Sequence, residues 1–261
     1  MKVQIVAEIG SNWDPGAPLE SCEALIDAVA EAGADFAKFQ DWHPLKRFNR
    51  PDWWKEKSGR WTLDPGVLTK LRAHAQGRGV GFVTSAFTPQ AVERAQYHSI
   101  VKIASSEIGN QDLLLRVGRS AGKLEQVWLS LGEVENVFQV STAISRLARH
   151  RLCLLACVAE YPVCRPLDLW DSFTFAQQFG AVDLGVSSHI AYPHCRAMIQ
   201  QLVQRGAGVV EVHVRLRGVT PDDAPDNGPW SLWIEEFADL VRMIRRMDTG
   251  QAREPAKEEW D

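Results

Sequence analysis

The sequence predicts an α/β protein of one domain, a (β/α)8 TIM barrel, and three observations carry that reading. The chain has 261 residues and 45% hydrophobic content, the usual size of one such barrel with a full core. Short Val/Ile/Leu/Ala-rich runs alternate with longer segments of helical period, as in parallel strands joined by crossover helices. Eight such runs occur, near residues 3–8, 34–40, 79–85, 99–104, 126–130, 152–157, 182–187 and 207–214. Eight units favour closure over an open doubly wound sheet, and no GxGxxG or Walker loop argues for the open form.

The elements follow in order. Met1-Lys2-Val3-Gln4-Ile5-Val6 runs directly into the first strand instead of forming a signal peptide. Cys22, Leu25, Ile26 and Val29 then recur at helical spacing and predict a helix on the outer face of the sheet. After the second strand, residues 41–64 carry Trp42, His43, Trp53, Trp54 and Trp61 among charges and two prolines. That is too long for an ordinary βα turn, and it reads either as a lid or substrate loop or as an aromatic flap packed on the barrel rim. The runs ending at His189 and His213 are separated by a single helical segment. The two imidazoles therefore belong at the same edge of neighbouring parallel strands, where a divalent metal could bridge them. Trp233, Phe237, Leu240, Val241 and Ile244 predict a last helix behind a Ser231 cap. The barrel is expected over residues 1–247, with 248–261 as a polar tail.

Net charge is −4 and the basic residues are scattered, which argues against a nucleic-acid stripe and a membrane-binding face and leaves a small molecule as the expected partner. Five cysteines form no CxxC pair and no even framework. The expectation is a reduced, cytoplasmic protein.

In a barrel of this kind the C-terminal ends of the strands converge on one mouth. Strand one delivers Glu8 there, strand two Lys38 and Gln40, strand three Ser85 and Phe87, strand four Lys102, Ser105 and Glu107, and strand five Ser130. Strands seven and eight deliver Ser187, His189, Glu211 and His213. A lysine facing the interior is costly unless it meets an anion. Two lysines among hydroxyls therefore imply a bound phosphate or carboxylate, or else salt bridges from Lys38 and Lys102 to Glu8 or Glu211. His43 beside the long loop, His194 near a helix start, and His74, His98 and His150, read as solvated, are not counted with the site.

The order of these pieces resembles the sialic acid synthase family. Ala7-Glu8-Ile9-Gly10-x-Asn12, Gly33-Ala34-Asp35 leading to Lys38-Phe39-Gln40, Lys102-Ile103-Ala104-Ser105-x-Glu107, Cys157-x-x-x-Tyr161-Pro162, Ser187-x-His189 and Glu211-x-His213 carry the likeness, over roughly residues 4–245. The resemblance implies condensation of phosphoenolpyruvate with the open-chain aldehyde of an N-acylated amino sugar, giving a nonulosonic acid and phosphate. It implies a divalent metal, manganese or magnesium, held by His189 and His213. Lys38, Lys102, Ser105, Ser130, Ser85 and Ser187 match positions that hold phosphoenolpyruvate, and Glu107 matches a carboxylate beside the reacting centre. Glu8 and Asp226, the latter in Ala224-Pro225-Asp226, match sugar-side carboxylates. Gln40, Phe87 and Tyr161 are expected in the pocket wall, and Glu211 is counted with the substrate-binding set.

The departures from the family pattern are Trp13 after Asn12, Ser188 between Ser187 and His189, Val212 before His213, and Ala156 and Ala159 around Cys157. An acidic neighbour commonly orients a ligating imidazole, so Ser188 is expected to lower metal affinity by about tenfold or more. Only the barrel part is expected here, without the small antifreeze-like domain that in the family's dimers reaches over the partner's sugar site; a homodimer is the assembly to test for. Two further readings stay open: a related TIM-barrel aldolase or enolpyruvyl transferase acting on a different acceptor, and a non-catalytic descendant that binds the ligand.

Overall fold

The structure, a computed structural model, describes residues 2–42, 59–132, 136–180 and 182–249. Eight parallel strands follow in sequence order: β1 (Gln4–Gly10), β2 (Phe36–Asp41), β3 (Gly81–Ala86), β4 (Ile100–Ile103), β5 (Gln126–Ser130), β6 (Arg151–Ala156), β7 (Asp183–Ser188) and β8 (Val209–Arg215). Each pairs with the next, and β1 pairs with β8 from Gln4↔Val209 to Glu8↔His213, which closes the barrel. The helices between and after them are α1 (Pro18–Glu31), α2 (Pro65–Gly77), α3 (Pro89–Ala95), α4 (Gln111–Gly118), α5 (Val137–Leu147), α6 (Pro166–Gln177), α7 (His194–Gln204) and α8 (Ile234–Asp248). The predicted (β/α)8 barrel is the observed fold.

Alternation along each strand gives the molecule two apolar layers. Val6, Val83, Trp128, Cys153, Leu155 and Val209 form a cluster of their own, the plug inside the barrel, with Phe36 edge-on to Trp128 at 5.5 Å. The intervening residues, such as Ile5, Ala7, Ala37 and Phe39, pack in the larger clusters that hold the helices. Cys22, Leu25, Ile26 and Val29 are the buried face of α1, as their spacing predicts. Phe237, Leu240, Val241 and Ile244 do the same for α8, each contributing about 1.5–3 kcal/mol by burial. Short polar side chains start several helices: Asp64 accepts from Gly66 N at 2.7 Å, Thr88 from Ala91 N at 3.1 Å and Asn110 from Leu113 N at 3.2 Å.

Three expectations need correction. Ser231 does not cap the last helix: it opens a short strand, β9 (Ser231–Trp233), parallel to β8, and its hydroxyl accepts from Asn12 Nδ2 at 2.9 Å. The helix instead starts from Trp233, whose N–H donates to Glu236 at 2.8 Å. His150 is buried, not solvated, because its two ring nitrogens lie against the carbonyls of Leu124 (3.3 Å) and Val117 (2.9 Å). His98 is half-buried against Phe82, and burial followed by the nearby Arg72 pushes its pKa down to about 4.

Of the long loop after β2, Trp42 and Trp61 are buried, whereas His43, Trp53 and Trp54, and with them most of the expected lid, lie outside the described residues. The expected tail does too, apart from Asp248 and Thr249; Asp248 closes α8 and accepts from Val3 N at 3.1 Å. Among the described residues no helix is long and apolar enough to cross a membrane.

Candidate active site

Above the apolar plug the inward positions change from hydrocarbon to charge, and strand register brings the charges together. Glu8 is level with Lys38 on one side and with His213 on the other. Gln40 is level with Ser85, Ser85 with Lys102, and Ser187 with Glu211. These side chains form the floor of a cavity of about 440 Å³ at the C-terminal mouth of the barrel. Every residue singled out from the sequence lines it except Glu107.

The floor is an alternating ion network. Lys38 is paired with Glu8, donates to Ser85 at 3.0 Å and lies 3.7 Å from Glu211. Lys102 is paired with Glu211 and donates to Ser187 at 3.3 Å, and the Ser187 hydroxyl donates to Glu211 at 2.9 Å. Burial alone would strip the proton from Lys38, but Glu211 and Glu8 outweigh it and hold the ammonium above the ordinary lysine range. Burial alone would likewise raise Glu211, but Lys102 and then Lys38 outweigh it and bring the carboxyl down to about 2. The salt bridges weighed as an alternative for the two lysines are therefore present. They do not exhaust the ammonium of Lys102, which has three donors and faces the cavity.

On the β4–β5–β6 side, the Ser130 hydroxyl is buried without a hydrogen-bond partner. Gly132, two residues on, is tightly enclosed: a Cβ there would lie 3.0 Å from Cys157 Sγ, 3.2 Å from Ala159 N and 3.3 Å from Ser105 Oγ. Ser105 Oγ and Ala159 N thus come together beside Gly132, on a cavity that Ser130 and Lys102 also line, a donor set suited to an oxyanion. Glu107 is fully buried in the turn Ser105–Glu107, and its carboxylate accepts from Asn110 Nδ2 at 2.8 Å. That bond ties it to the cap of the following helix.

His189 and His213 face each other with ring centroids 5.3 Å apart. His189 Nδ1 meets the carbonyl of Val158 at 2.7 Å. A carbonyl only accepts, so Nδ1 carries the proton and Nε2 keeps the lone pair. Burial, then the neighbouring His213, pushes the pKa of His189 down to about 3, so the ring is neutral. Ser188 does not take part. Its hydroxyl lies 3.6 Å from Cys195 Sγ and 3.3 Å from Ile190 N, so no side chain at position 188 orients His189. His213 Nδ1 lies 3.6 Å from Asp226 Oδ1. No group of three or more His, Cys, Asp or Glu arranged to hold a metal occurs among the described residues.

Asp226 is fixed from β1. Its Oδ2 accepts from Ser11 N and Ser11 Oγ, both at 2.7 Å. The approach depends on Gly10, which sits at a register shift in β1 with φ +56° and where a Cβ would lie 2.3 Å from Asp226 Oδ2. Gly10→Ala is expected to lower stability by about 1–3 kcal/mol and displace Asp226. A denaturant midpoint unchanged from wild type would contradict this.

Trp13, a departure from the family pattern, is buried and donates to Gly10 O at 3.0 Å; it does not line the cavity. Ala159 does. Sequence reasoning did not assign Trp230, Pro225, Cys157, Ala104 and Ser106 to the lining. Trp230 enters it because β9, unrecognised in the sequence, pairs Ser231 with His213. The signals for the others were Pro225 next to Asp226, and Cys157, Ala104 and Ser106 within quoted motifs.

Comparisons with known proteins find similar chains along nearly the whole length of this one. The N,N'-diacetyllegionaminic acid synthase of Campylobacter jejuni is 27% identical over 94% of this chain and 76% of its own length. The pseudaminic acid synthase of Helicobacter pylori is 27% identical over 93% of this chain and 74% of its own. The crystal structure of N-acetylneuraminic acid synthetase from Leptospira borgpetersenii, in complex with citrate, superposes with a TM-score of 0.82 at 23% identity, covering 99% of this chain and 88% of the other. The sequence pattern described as the NeuB family matches residues 25–254, and with the barrel and its mouth already described, the chain belongs to the NeuB family.

Proposed function

We propose that this chain condenses phosphoenolpyruvate with the open-chain aldehyde of an N-acylated amino sugar, releasing phosphate and a nonulosonic-acid-type 2-keto acid. The observation that carries this reading is the convergence of an oxyanion-suited donor set and two facing imidazoles on one cavity of a NeuB-family barrel. Carbon 3 of the enol phosphate attacks the aldehyde carbon, and the carbonyl electron pair moves to the aldehyde oxygen. Water adds to the cation left at carbon 2, and the C2–O bond to phosphate breaks. Of the two protons of that water, one ends on the new alkoxide and one on phosphate, leaving the 2-keto group.

Lys102, Ser105 and Ser130 are assigned to the phosphate and carboxylate of phosphoenolpyruvate, with Lys38, Ser85 and Ser187 supporting Lys102 through the floor network. Glu8, Gln40, Asp226 and Tyr161 are assigned to the sugar side. Gln40 Nε2 donates to Glu8 at 3.2 Å and lies 3.5 Å from Asp226 Oδ2, so the three act as one unit. Glu107 is a positioning residue for the turn that carries Ser105. Phosphate release in the presence of manganese, requiring phosphoenolpyruvate and an N-acylated aldose together, tests the proposal. Release without the aldose would sink it.

His189 and His213 would hold the divalent metal, manganese or magnesium. The donor set supports this: one imidazole has its tautomer fixed by a carbonyl, the other has a carboxylate beside Nδ1, and two protein ligands leave positions for substrate. Their rings stand 5.3 Å apart, and both would take part in holding the ion. When bound, the ion supplies Lewis-acid polarisation of the aldehyde oxygen. Since Val158, not residue 188, orients His189, Ser188→Ala should change manganese affinity by less than about threefold. A loss of about tenfold or more, the size expected for an orienting partner, would count against that assignment.

A further inference from the structure

A second cavity, of about 270 Å³, lies on the flank of the barrel between α2 and α3. Its inner wall is β3. Val83 belongs to the plug and Ser85 to the cavity at the mouth, so alternation turns Thr84, between them, outward to the helices, where it lines this second space.

Three polar atoms of the lining are buried without a hydrogen-bond partner among the described residues: Thr84 Oγ1, His98 Nδ1 and Arg72 Nε. Thr84 is only 1% exposed. Each such group is costly to bury, and three lining one cavity are explained by a ligand that satisfies them together.

Charge narrows the class of ligand. Arg94 donates from Nε and from a terminal nitrogen to the two oxygens of Asp41, both at 2.7 Å, so that pair is neutral as a unit. His98 is uncharged at neutral pH. Among the described residues no carboxylate pairs with Arg72, whose guanidinium lies 5.3 Å from the Tyr97 ring and reaches the Tyr97 carbonyl at 3.4 Å. The lining thus carries one net positive charge, which suits a singly charged head and not a phosphate dianion. Its remaining surface is apolar at Leu68, which is buried, and at the ring of Tyr97, which is 73% exposed at the rim.

We infer that this cavity is a second binding site, one for a small organic monoanion, its carboxylate meeting Arg72, Thr84 and His98 and its apolar body resting on Leu68 and Tyr97. The site stands on the opposite face of β3 from Ser85 and is independent of the condensation proposed above.

The test uses benzoate as the probe, with benzyl alcohol and inorganic phosphate for comparison, followed by the backbone amide NMR signals of the isotope-labelled chain. Benzoate should give saturable shifts centred on Thr84, Tyr97 and His98, and both comparison compounds should bind about tenfold or more weakly. Arg72→Met should weaken benzoate binding by about tenfold or more. Thr84→Val keeps the shape of the side chain and removes an unpartnered hydroxyl, so it should weaken benzoate binding severalfold without lowering the thermal midpoint. Shifts centred on Ser105 and Ser130 would place the anion at the barrel mouth and overturn the inference. So would the absence of saturable shifts, binding of either comparison compound as tight as that of benzoate, or benzoate affinity unchanged in both variants.

Discussion

Removing either facing imidazole abolishes turnover: His189→Ala and His213→Ala are each expected to lower kcat by about 1,000-fold or more. Lewis-acid polarisation supplies several kcal/mol of transition-state stabilisation, and each 1.36 kcal/mol is tenfold in rate. The two variants should differ in stability. His189 donates to the Val158 carbonyl and packs against Tyr161, so truncation leaves a buried carbonyl unpaired at a cost of about 1–3 kcal/mol. His213 Nδ1 has no hydrogen-bond partner, so its truncation should cost less. Phosphate release at saturating phosphoenolpyruvate and manganese, with thermal unfolding of each variant, measures both effects. Wild-type protein in chelator should fall to the same floor as the variants; a variant or a chelated enzyme at full rate would remove the ion from the reaction.

Most of the barrel was legible because buried parallel strands write themselves as short apolar runs, and each of the eight lies within about two residues of its expected position. The site was legible for a related reason. A strand end fixes where a side chain points, so Glu8, Lys38, Lys102, Glu211 and the two histidines could be assigned to one mouth from sequence order alone. What stayed hidden depends on contacts between distant residues. β9 is three residues long, and it exists because Asn12 and His213 hold Ser231; nothing local distinguishes it from a helix cap. Trp230 follows from β9 and was missed with it. The neighbour of Ser188 is Cys195, seven residues on in the next helix, a contact that sequence order does not show. His150 looked solvated because its partners, Val117 and Leu124, come from the preceding βα unit.

Lys102 separates an anion-binding floor from a merely structural one. Lys102→Ala is expected to raise KM for phosphoenolpyruvate by about 30-fold to a few thousand-fold, from the ~2–5 kcal/mol lost when one partner of a buried charge contact is truncated. The same substitution leaves Glu211 buried with only Lys38, at 3.7 Å, to balance it, and should cost about 3–5 kcal/mol of stability. A weaker enzyme could therefore reflect a damaged fold as easily as a lost anion contact. Lys102→Met combined with Glu211→Gln resolves this, because removing both charges restores a neutral interior and should recover most of the stability. If Lys102 meets phosphoenolpyruvate directly, the double variant stays weak in substrate binding despite its recovered fold. If Lys102 only neutralises Glu211, substrate affinity returns along with stability. Unfolding midpoints and phosphoenolpyruvate titrations on the wild type, the single variant and the double variant decide between the two. The ammonium of Lys102 has a donor to spare beyond Glu211 and Ser187, and it lines the same cavity as the unpartnered hydroxyl of Ser130, so the first outcome is expected.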